Sequence, residues 1–194
     1  MRTPGRSPAE TENLRGLALM LEGSLRPAVQ SFDLALDLDP KLSAARFNRA
    51  IAWLKLAELA RASSEFSSLY EDAGSPLRAA AAYHNALALD GLGRAADAET
   101  WLRRALAIDP RYDSAMLYLG ILLERRGDLQ GAGRQYKDFV TRNPSSSVGH
   151  LRFGVTAQRA GFNEVARKSL QRVVDLAPDS PEAAEARKFL VMWE

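Results

Sequence analysis

The hydrophobic and polar positions of the chain repeat with a period of about 34 residues. Small residues recur at Gly16, Ala50, Ala86, Gly120 and Gly154, at intervals of 34, 36, 34 and 34 residues. Three further series keep the same register, an alanine series, a bulky series and a series of helix-ending residues (Ala28, Ala62, Ala98, Ala132 and Ala166; Phe32, Phe66, Leu102, Tyr136 and Leu170; Pro40, Gly74, Pro110, Pro144 and Pro178). Because four series share one register, the pattern predicts about five copies of one structural unit.

Each unit has the pattern of two helices joined by a turn. In the second half, a small residue, a large one four positions later and an apolar one three after that share one helical face, as in Ala98, Leu102 and Ala105. The small residue early in the first helix lets the second helix approach closely. A glycine, or an alanine in the second unit, marks the turn between them (Gly23, Ala57, Gly93, Gly127 and Gly161). Proline then ends the second helix because it cannot continue the hydrogen-bond ladder.

This arrangement resembles the tetratricopeptide repeat family, whose unit is about 34 residues of helix, turn and helix. The resemblance implies an all-α fold, a right-handed α-solenoid of about five repeats with a C-terminal capping helix. It places a flexible N-terminus at 1–6 and a single solenoid over 7–194, with repeats 9–42, 43–78, 79–112, 113–146 and 147–180 and the capping helix at 181–194. The second repeat fits least well, since it lacks the proline and is two residues longer.

Three short segments carry local signals. Ser7-Pro8-Ala9-Glu10 is a capping-box pattern with proline at the first helical position, and Ser180-Pro181 predicts the start of a last helix. Glycine and proline cluster at 71–76, where the helical period is interrupted. This segment either bends the stack or is a longer loop, and the longer loop is the favoured interpretation.

The resemblance also implies a concave groove lined by the first helices, which the fifth and ninth residues of each unit would face. The candidate groove residues are mainly apolar, with polar side chains between them (Phe47, Asn48, Ile51, Tyr83, His84, Leu87, Leu117, Tyr118, Ile121 and Arg152). An apolar groove favours an amphipathic helix or a hydrophobic peptide as its ligand. Packing between neighbouring first helices is the alternative interpretation of the apolar positions. The polar tips of the tyrosines, His84 and Arg152 favour a wet groove.

The first two repeats depart from the family pattern. Charged residues stand where the resemblance implies buried apolar ones (Glu12, Arg15, Arg46 and Arg49), while two apolar stripes keep helical spacing (Leu14, Leu17 and Leu21; Phe47, Ile51 and Leu54). Two interpretations stay open. Either the helices are rotated and Glu12 pairs with Arg46 or Arg49, or the stripes are presented to a partner, for which a second copy of the chain is one candidate.

Composition narrows the function classes. The 194 residues are 46% hydrophobic and 26% charged, which is typical of a globular protein. A net charge of +2 does not favour nucleic acid as a partner, and no apolar run approaches the roughly 20 residues needed to span a membrane. The absence of cysteine excludes disulfides, thiolate metal sites and cysteine nucleophiles. The location expected is the cytoplasm, or the periplasm if a leader has been removed.

No motif indicates catalysis or a cofactor. The glycine-rich segment 127–133 falls on a turn and a second helix and lacks the lysine of a phosphate-binding loop. His84 and His150, the two histidines, stand in different repeats without metal-ligand spacing. Of the residues that the family's clamp for chaperone tails needs, Asn48 alone matches. The sequence therefore predicts a non-enzymatic adaptor or assembly factor for a protein or peptide of unidentified sequence. The alternative is a self-associating scaffold, a homo-oligomer formed through the apolar N-terminal helices.

Overall fold

The computed structural model describes residues 5–193, and every regular element in that range is helical. In chain order there are eleven α-helices and one short 3₁₀ helix: α1 Pro8–Leu21, α2 Leu25–Leu38, α3 Ser43–Lys55, α4 Leu59–Glu71, α5 Arg78–Gly91, α6 Ala95–Ile108, α7 Asp113–Arg126, α8 Leu129–Arg142, α9 Ser147–Arg159, α10 Asn163–Leu176, α11 Pro181–Leu190 and the 3₁₀ helix Val191–Trp193. The all-α helical-repeat class is confirmed. Residues 1–4 of the predicted flexible N-terminus and residue 194 of the predicted capping helix lie outside the described residues.

The first and last α-helices begin where the capping patterns predicted. The Ser7 hydroxyl accepts a hydrogen bond from the Glu10 backbone N–H at 3.1 Å, and the Ser7 N–H donates to Glu10 Oε2 at 2.8 Å. Pro8 occupies the first turn, where its missing N–H has no cost. At α11 the Ser180 hydroxyl accepts from the Ala183 N–H at 3.1 Å. Both helix starts follow from side chains that satisfy otherwise unpaired N–H groups.

Small residues on the first helices allow the bulky residues of the second helices to pack closely. A Cβ atom added at Gly120 would lie 2.5 Å from Tyr136 Cε1, and one added at Gly154 would lie 2.8 Å from Leu170 Cγ. Both distances are far below van der Waals contact. The ring or leucine therefore fills the space above each glycine, which confirms the reason inferred for the small-residue series.

The chain divides into two compact units, Met1–Pro110 with α1 to α6 and Arg111–Glu194 with α7 to α11, called here the N-terminal and C-terminal units. The N-terminal unit buries two apolar clusters, one around Phe32 and one around Phe66 and Leu69. In the C-terminal unit α11 packs against α9 and α10, and the cluster there contains Leu151, Leu170, Val173, Ala183 and Ala186.

The segment after α4 is a longer loop. It spans residues 72–77, six residues, whereas 39–42 connects α2 to α3 with four. The Gly74 N–H donates to Asp72 Oδ1 at 3.2 Å, and Arg78 Nε donates to the Tyr70 carbonyl at 2.9 Å. The flanking helices α4 and α5 still pack against each other. The two additional residues are therefore accommodated in an ordered turn.

Candidate functional site

The predicted groove residues fall into two sets, one in each unit. The N-terminal unit holds six of them, on α3 and α5 (Phe47, Asn48, Ile51, Tyr83, His84 and Leu87), and these define the α3–α5 surface. The C-terminal unit holds the other four, three on α7 and one on α9 (Leu117, Tyr118, Ile121 and Arg152). Arg152 is exposed, and the other nine side chains are half-buried.

Aromatic rings form the centre of the α3–α5 surface. The His84 ring lies 5.4 Å from Phe47 and 4.9 Å from Tyr83, both edge to face, and it stacks on Phe66 at 5.5 Å. Its Nδ1 atom is buried and has no hydrogen-bond partner among the described residues. Burial lowers the pKa of His84 to about 4, because desolvation disfavours the charged ring. At neutral pH this surface is therefore uncharged at His84.

The other members of this surface also make contacts within the unit. The Asn48 amide donates to Asn13 Oδ1 at 2.9 Å, which joins α3 to α1. Phe47 and Ile51 pack on one side against the cluster around Phe66 and remain partly exposed on the other. These two apolar residues thus combine the packing role with exposed apolar area. Asn48 is engaged by a neighbouring helix.

In the C-terminal unit, Arg152 belongs to an ion-pair centre around Glu124. Arg159 Nη1 lies 2.6 Å from Glu124 Oε1, and Arg152 Nη1 lies 3.9 Å from Glu124 Oε2. The Tyr136 hydroxyl donates to Glu124 Oε2 at 3.1 Å. Burial, with the Glu124 carboxylate adding to it, raises the pKa of Tyr136. We did not predict this centre from the sequence, because its members lie on α7, α8 and α9 with no short spacing between them.

The fifth position of a repeat can be covered by a helix. Leu151 has the same place in its repeat as Phe47, Tyr83 and Leu117, and it is buried in the cluster that contains Ala183 and Ala186 of α11. The end of the C-terminal unit thus provides an example, within the chain itself, of an amphipathic helix seated against this position.

The two arginines of the second repeat, Arg46 and Arg49, pair with acids on second helices. Arg49 Nη1 lies 2.7 Å from Asp33 Oδ1, and Arg49 Nη2 lies 2.6 Å from Glu65 Oε2. The Arg49 guanidinium also lies 4.7 Å from the centre of the Trp53 ring. Glu12 lies 3.7 Å from Arg15 on its own helix, and its pairing with Arg46 or Arg49, one of the two interpretations left open, is not formed among the described residues. The signal that could have identified these pairs is their spacing, because Arg49 stands 16 residues after Asp33 and 16 residues before Glu65.

The apolar stripe of α1 is partly uncovered. Leu17 packs against the cluster around Phe32, whereas Leu14 is 40% exposed and Leu21 is 91% exposed. The stripe of α3 behaves differently, since Phe47, Ile51 and Leu54 all pack against the next cluster. Only the stripe of α1 therefore has leucines, Leu14 and Leu21, that are exposed and not part of a cluster, whereas the stripe of α3 is half-buried.

Two other features, a metal-ion site and a membrane-spanning helix, are absent from the part of the chain that the structure describes. No group of three or more His, Cys, Asp or Glu side chains is arranged to hold a metal ion there. Nor does that part contain a helix with the length and apolar character needed to cross a membrane.

Comparison with known proteins finds similarity to the tetratricopeptide repeat in the middle of the chain. Residues 92–147 match the family model for that repeat. YrrB, described as a tetratricopeptide repeat protein with an unusual peptide-binding site, has a TM-score of 0.71 and 21% identity, over 91% of this chain and 90% of that one. MamA from Desulfovibrio magneticus RS-1 has a TM-score of 0.75 and 17% identity, over 89% of this chain and 97% of that one. PilW, described as a type IV pilus biogenesis factor, has a TM-score of 0.63 and 20% identity, over 92% of this chain and 97% of that one. At such low identity these likenesses establish the fold alone.

Proposed function

We propose that this chain, a tetratricopeptide repeat protein, is a non-enzymatic adaptor or assembly factor that binds a peptide or an amphipathic helix on its first helices. The observation that carries the proposal is the α3–α5 surface, where Phe47, Tyr83 and His84 present neutral, half-exposed rings side by side. Large aromatic side chains supply binding energy through buried area and have little rotamer freedom to lose.

The character of this surface favours a ligand with apolar anchors. Half-exposed rings on adjacent helices form a shallow apolar strip, which suits side chains at i, i+3 and i+4 of a ligand helix. The packing of α11 over Leu151 supports this mode, because it shows how small residues such as Ala183 and Ala186 bring a helix close to that position. The descriptions of YrrB as peptide-binding and PilW as a biogenesis factor also support a role in protein interaction.

The test is affinity capture from the native extract with the intact chain and with two variants. Tyr83→Ala removes a ring from the α3–α5 surface. Leu117→Glu places a charge among the four candidate groove residues of the C-terminal unit. Leu34→Glu on α2 is the matched control, since Leu34 is an exposed leucine on a second helix. Circular dichroism establishes that each variant folds.

The expected result is a protein that the intact chain and Leu34→Glu retain and that Tyr83→Ala or Leu117→Glu loses. The same protein, purified, should then bind the intact chain directly. A set of captured proteins that is the same for all four chains would contradict the proposal and move the binding surface elsewhere.

A second candidate function is self-association through α1. Leu14 and Leu21 are two turns apart on one side of that helix, and both are exposed. Two exposed leucines on one helical face are a feature of helix–helix interfaces. Light scattering across protein concentration should then show a mass above 21.3 kDa that falls to the monomer value in Leu14→Glu with Leu21→Glu. A concentration-independent monomer would contradict this candidate and leave the first one standing.

A further inference from the structure

A pocket of about 390 Å³ opens between α8 and α10, over α9, within the C-terminal unit. Apolar residues line most of it, including Leu129, Phe153, Phe162 and Val165. Its volume lies within the range of small-ligand sites. This α8–α10 pocket shares no residue with the candidate groove on the first helices.

The pocket exists because this part of the chain has small residues where other repeats have larger ones. Ala157 stands at the repeat position that Leu19, Trp53, Leu89 and Leu123 hold elsewhere. Ala160 stands at the position of Glu22, Leu56, Leu92 and Arg126, and Gly133 at that of Val29, Ser63, Glu99 and Arg167. Three small residues thus line one pocket. At Ala157 the missing volume is that of an apolar side chain of the size of leucine or larger.

The walls show that the space is not filled from within the unit. A Cβ atom added at Gly133 would meet nothing within 4 Å. Thr156, which also lines the pocket, is wholly buried, and its hydroxyl has no hydrogen-bond partner among the described residues. Phe162 is 54% exposed. An apolar group that entered the pocket would cover the ring of Phe162.

Two cations on α8, Arg134 and Lys137, also line this pocket. Both are exposed, and neither side chain forms an ion pair in the part of the chain that the structure describes. Other second helices pair their cations locally, as Arg103 does with Glu99 at 2.8 Å. No acidic residue lines the pocket. The apolar walls and the uncompensated positive charge together define a ligand that is apolar at its centre and acidic beside it.

We propose that the α8–α10 pocket is a second binding site, which takes a bulky apolar side chain of a partner protein from a segment with neighbouring acidic residues. The apolar side chain occupies the volume left by Ala157, Ala160 and Gly133. The adjacent carboxylates meet Arg134 and Lys137. A peptide segment with several acidic residues fits better than a fatty acid, because a fatty acid carries one carboxylate and two cations, Arg134 and Lys137, line the pocket. The site is independent of the function proposed above.

Unlabelled synthetic pentapeptides test the proposal with the full chain, in isothermal titration calorimetry at about 0.15 M salt. The acidic probe is a phenylalanine with two glutamates on each side. One comparison peptide replaces the phenylalanine by alanine, and another replaces the glutamates by lysines. The acidic phenylalanine peptide should bind about tenfold or more tightly than either comparison peptide, the effect of losing one apolar anchor or reversing the flanking charge.

Four variants locate the binding. Ala157→Leu restores the residue type that most repeats have at this position, and Gly133→Leu fills the pocket from the other wall, where a Cβ meets nothing. Either should weaken binding of the acidic probe by about tenfold or more, with thermal stability unchanged or raised. Arg134→Glu with Lys137→Glu should do the same and favour the lysine-flanked peptide. The control, Arg167→Glu with Lys168→Glu, makes the same charge change on α10, where both cations pair with Glu164, and should leave the affinity within about twofold.

Several outcomes would overturn the proposal. One is the absence of binding of the acidic probe at ~1 mM, the weak limit of a specific contact. Others are equal affinity for the alanine peptide or unchanged affinity in both filled variants. Binding of phosphatidylglycerol vesicles without the peptide would assign the pocket to lipid. Self-association that Gly133→Leu abolishes would assign it to a second copy of the chain. Failure here leaves the groove variants Tyr83→Ala and Leu117→Glu as a separate test of the first proposal.

Discussion

The two units each contain a charged side chain on a first helix that is held by charges of the opposite sign, and the signs are reversed between them. In the N-terminal unit, the cation Arg49 lies between the acids Asp33 and Glu65 at 2.7 and 2.6 Å. In the C-terminal unit, the anion Glu124 lies between the cations Arg159 and Arg152 at 2.6 and 3.9 Å. The same helical frame therefore accepts a central charge of either sign, provided that neighbouring helices supply the complement.

The surroundings of the two centres differ as well as their signs. The Arg49 guanidinium lies over the Trp53 ring, 4.7 Å from its centre, which is a cation–π contact. Glu124 accepts a hydrogen bond from Tyr136, whose ring is wholly buried and sits directly above Gly120. The C-terminal centre is thus coupled to the packing of a hairpin, and the N-terminal centre is coupled to a surface ring. Arg49 and Glu124 stand at different places in their repeats, so the contribution of each charge to stability depends on the side chains that pack around it.

The largest effect should come from Gly120→Ala, which tests this coupling. The new methyl group would lie 2.5 Å from Tyr136 Cε1, so the buried ring must move and its bond to Glu124 must lengthen. We expect a loss of about 3 kcal/mol in the free energy of unfolding, confined to the C-terminal unit. Urea unfolding with amide hydrogen exchange measures both the size and the place. Ala50→Gly, the reverse change in the N-terminal unit, should cost about 1 kcal/mol. Equal losses for Gly120→Ala and Ala50→Gly would contradict the coupling of the C-terminal centre to the packing of its hairpin.

Removing either central charge should have the next largest effect. Arg49→Ala leaves Asp33 and Glu65 without their cation, and Glu124→Ala leaves two arginines without their anion. Each should cost about 2 kcal/mol in the free energy of unfolding, because both centres are only partly buried and solvent screens them. Hydrogen exchange should show each loss in its own unit.

Two further variants separate charge from packing in this prediction. Arg49→Met keeps contact with Trp53 but removes the charge, and should recover part of the loss caused by Arg49→Ala. Arg61→Ala removes a cation that is exposed and pairs with Glu58 at 2.8 Å, and it should cost less than ~0.5 kcal/mol. A cost for Arg61→Ala that matched Arg49→Ala would show that the central position has no special weight.

Acidification should affect the two units unequally. The pKa of His84 is lowered from 6.5 to about 4 by burial, so the stability it contributes is present above pH 6.5 and is lost as the pH falls toward 4. His150 of the C-terminal unit also has a lowered pKa because of burial, but its Nε2 lies 3.2 Å from the Pro144 carbonyl, which opposes the shift. Between pH 7 and pH 4 the free energy of unfolding of the N-terminal unit should fall by about 2 kcal/mol more in the unchanged chain than in the His84→Leu variant. Equal pH dependence of the two chains would contradict the assignment to His84.

The fold could be predicted from the sequence because it depends on short-range regularities. Gly120 and Tyr136 are 16 residues apart, and the small and bulky residues keep this separation in every repeat. The contact between the small and the bulky residue is therefore visible as a spacing. The capping pattern at Ser7 and Glu10 is visible for the same reason, since one turn of helix contains it. Such signals need only the sequence register and helix geometry.

The chemistry of the candidate surfaces could not be predicted in the same way. Glu124 and Arg159 are 35 residues apart, and many other acids and arginines have similar separations. The burial of His84 depends on Phe47 and Phe66, which belong to different helices. The α8–α10 pocket results from side chains that are small compared with other repeats, which shows only when the repeats are aligned and the deviations, not the matches, are examined.

The smallest effect concerns the turns between the two helices of a repeat, where the second repeat has alanine in place of glycine. Four turns have glycine with a positive φ, as at Gly127 with 88°, while Ala57 of the N-terminal unit adopts a φ of 59°. Ala57→Gly relieves about 1 kcal/mol of backbone strain and adds somewhat less than that in unfolded-state entropy. We therefore expect a gain of about 0.5 kcal/mol in the N-terminal unit by urea unfolding. Gly127→Ala should cost about 1 kcal/mol in the C-terminal unit, because it introduces the strain that Ala57 already has. If Ala57→Gly destabilised the chain, the methyl group of Ala57 would be making contacts worth more than the strain, and this turn would be part of the packing, not only a connection.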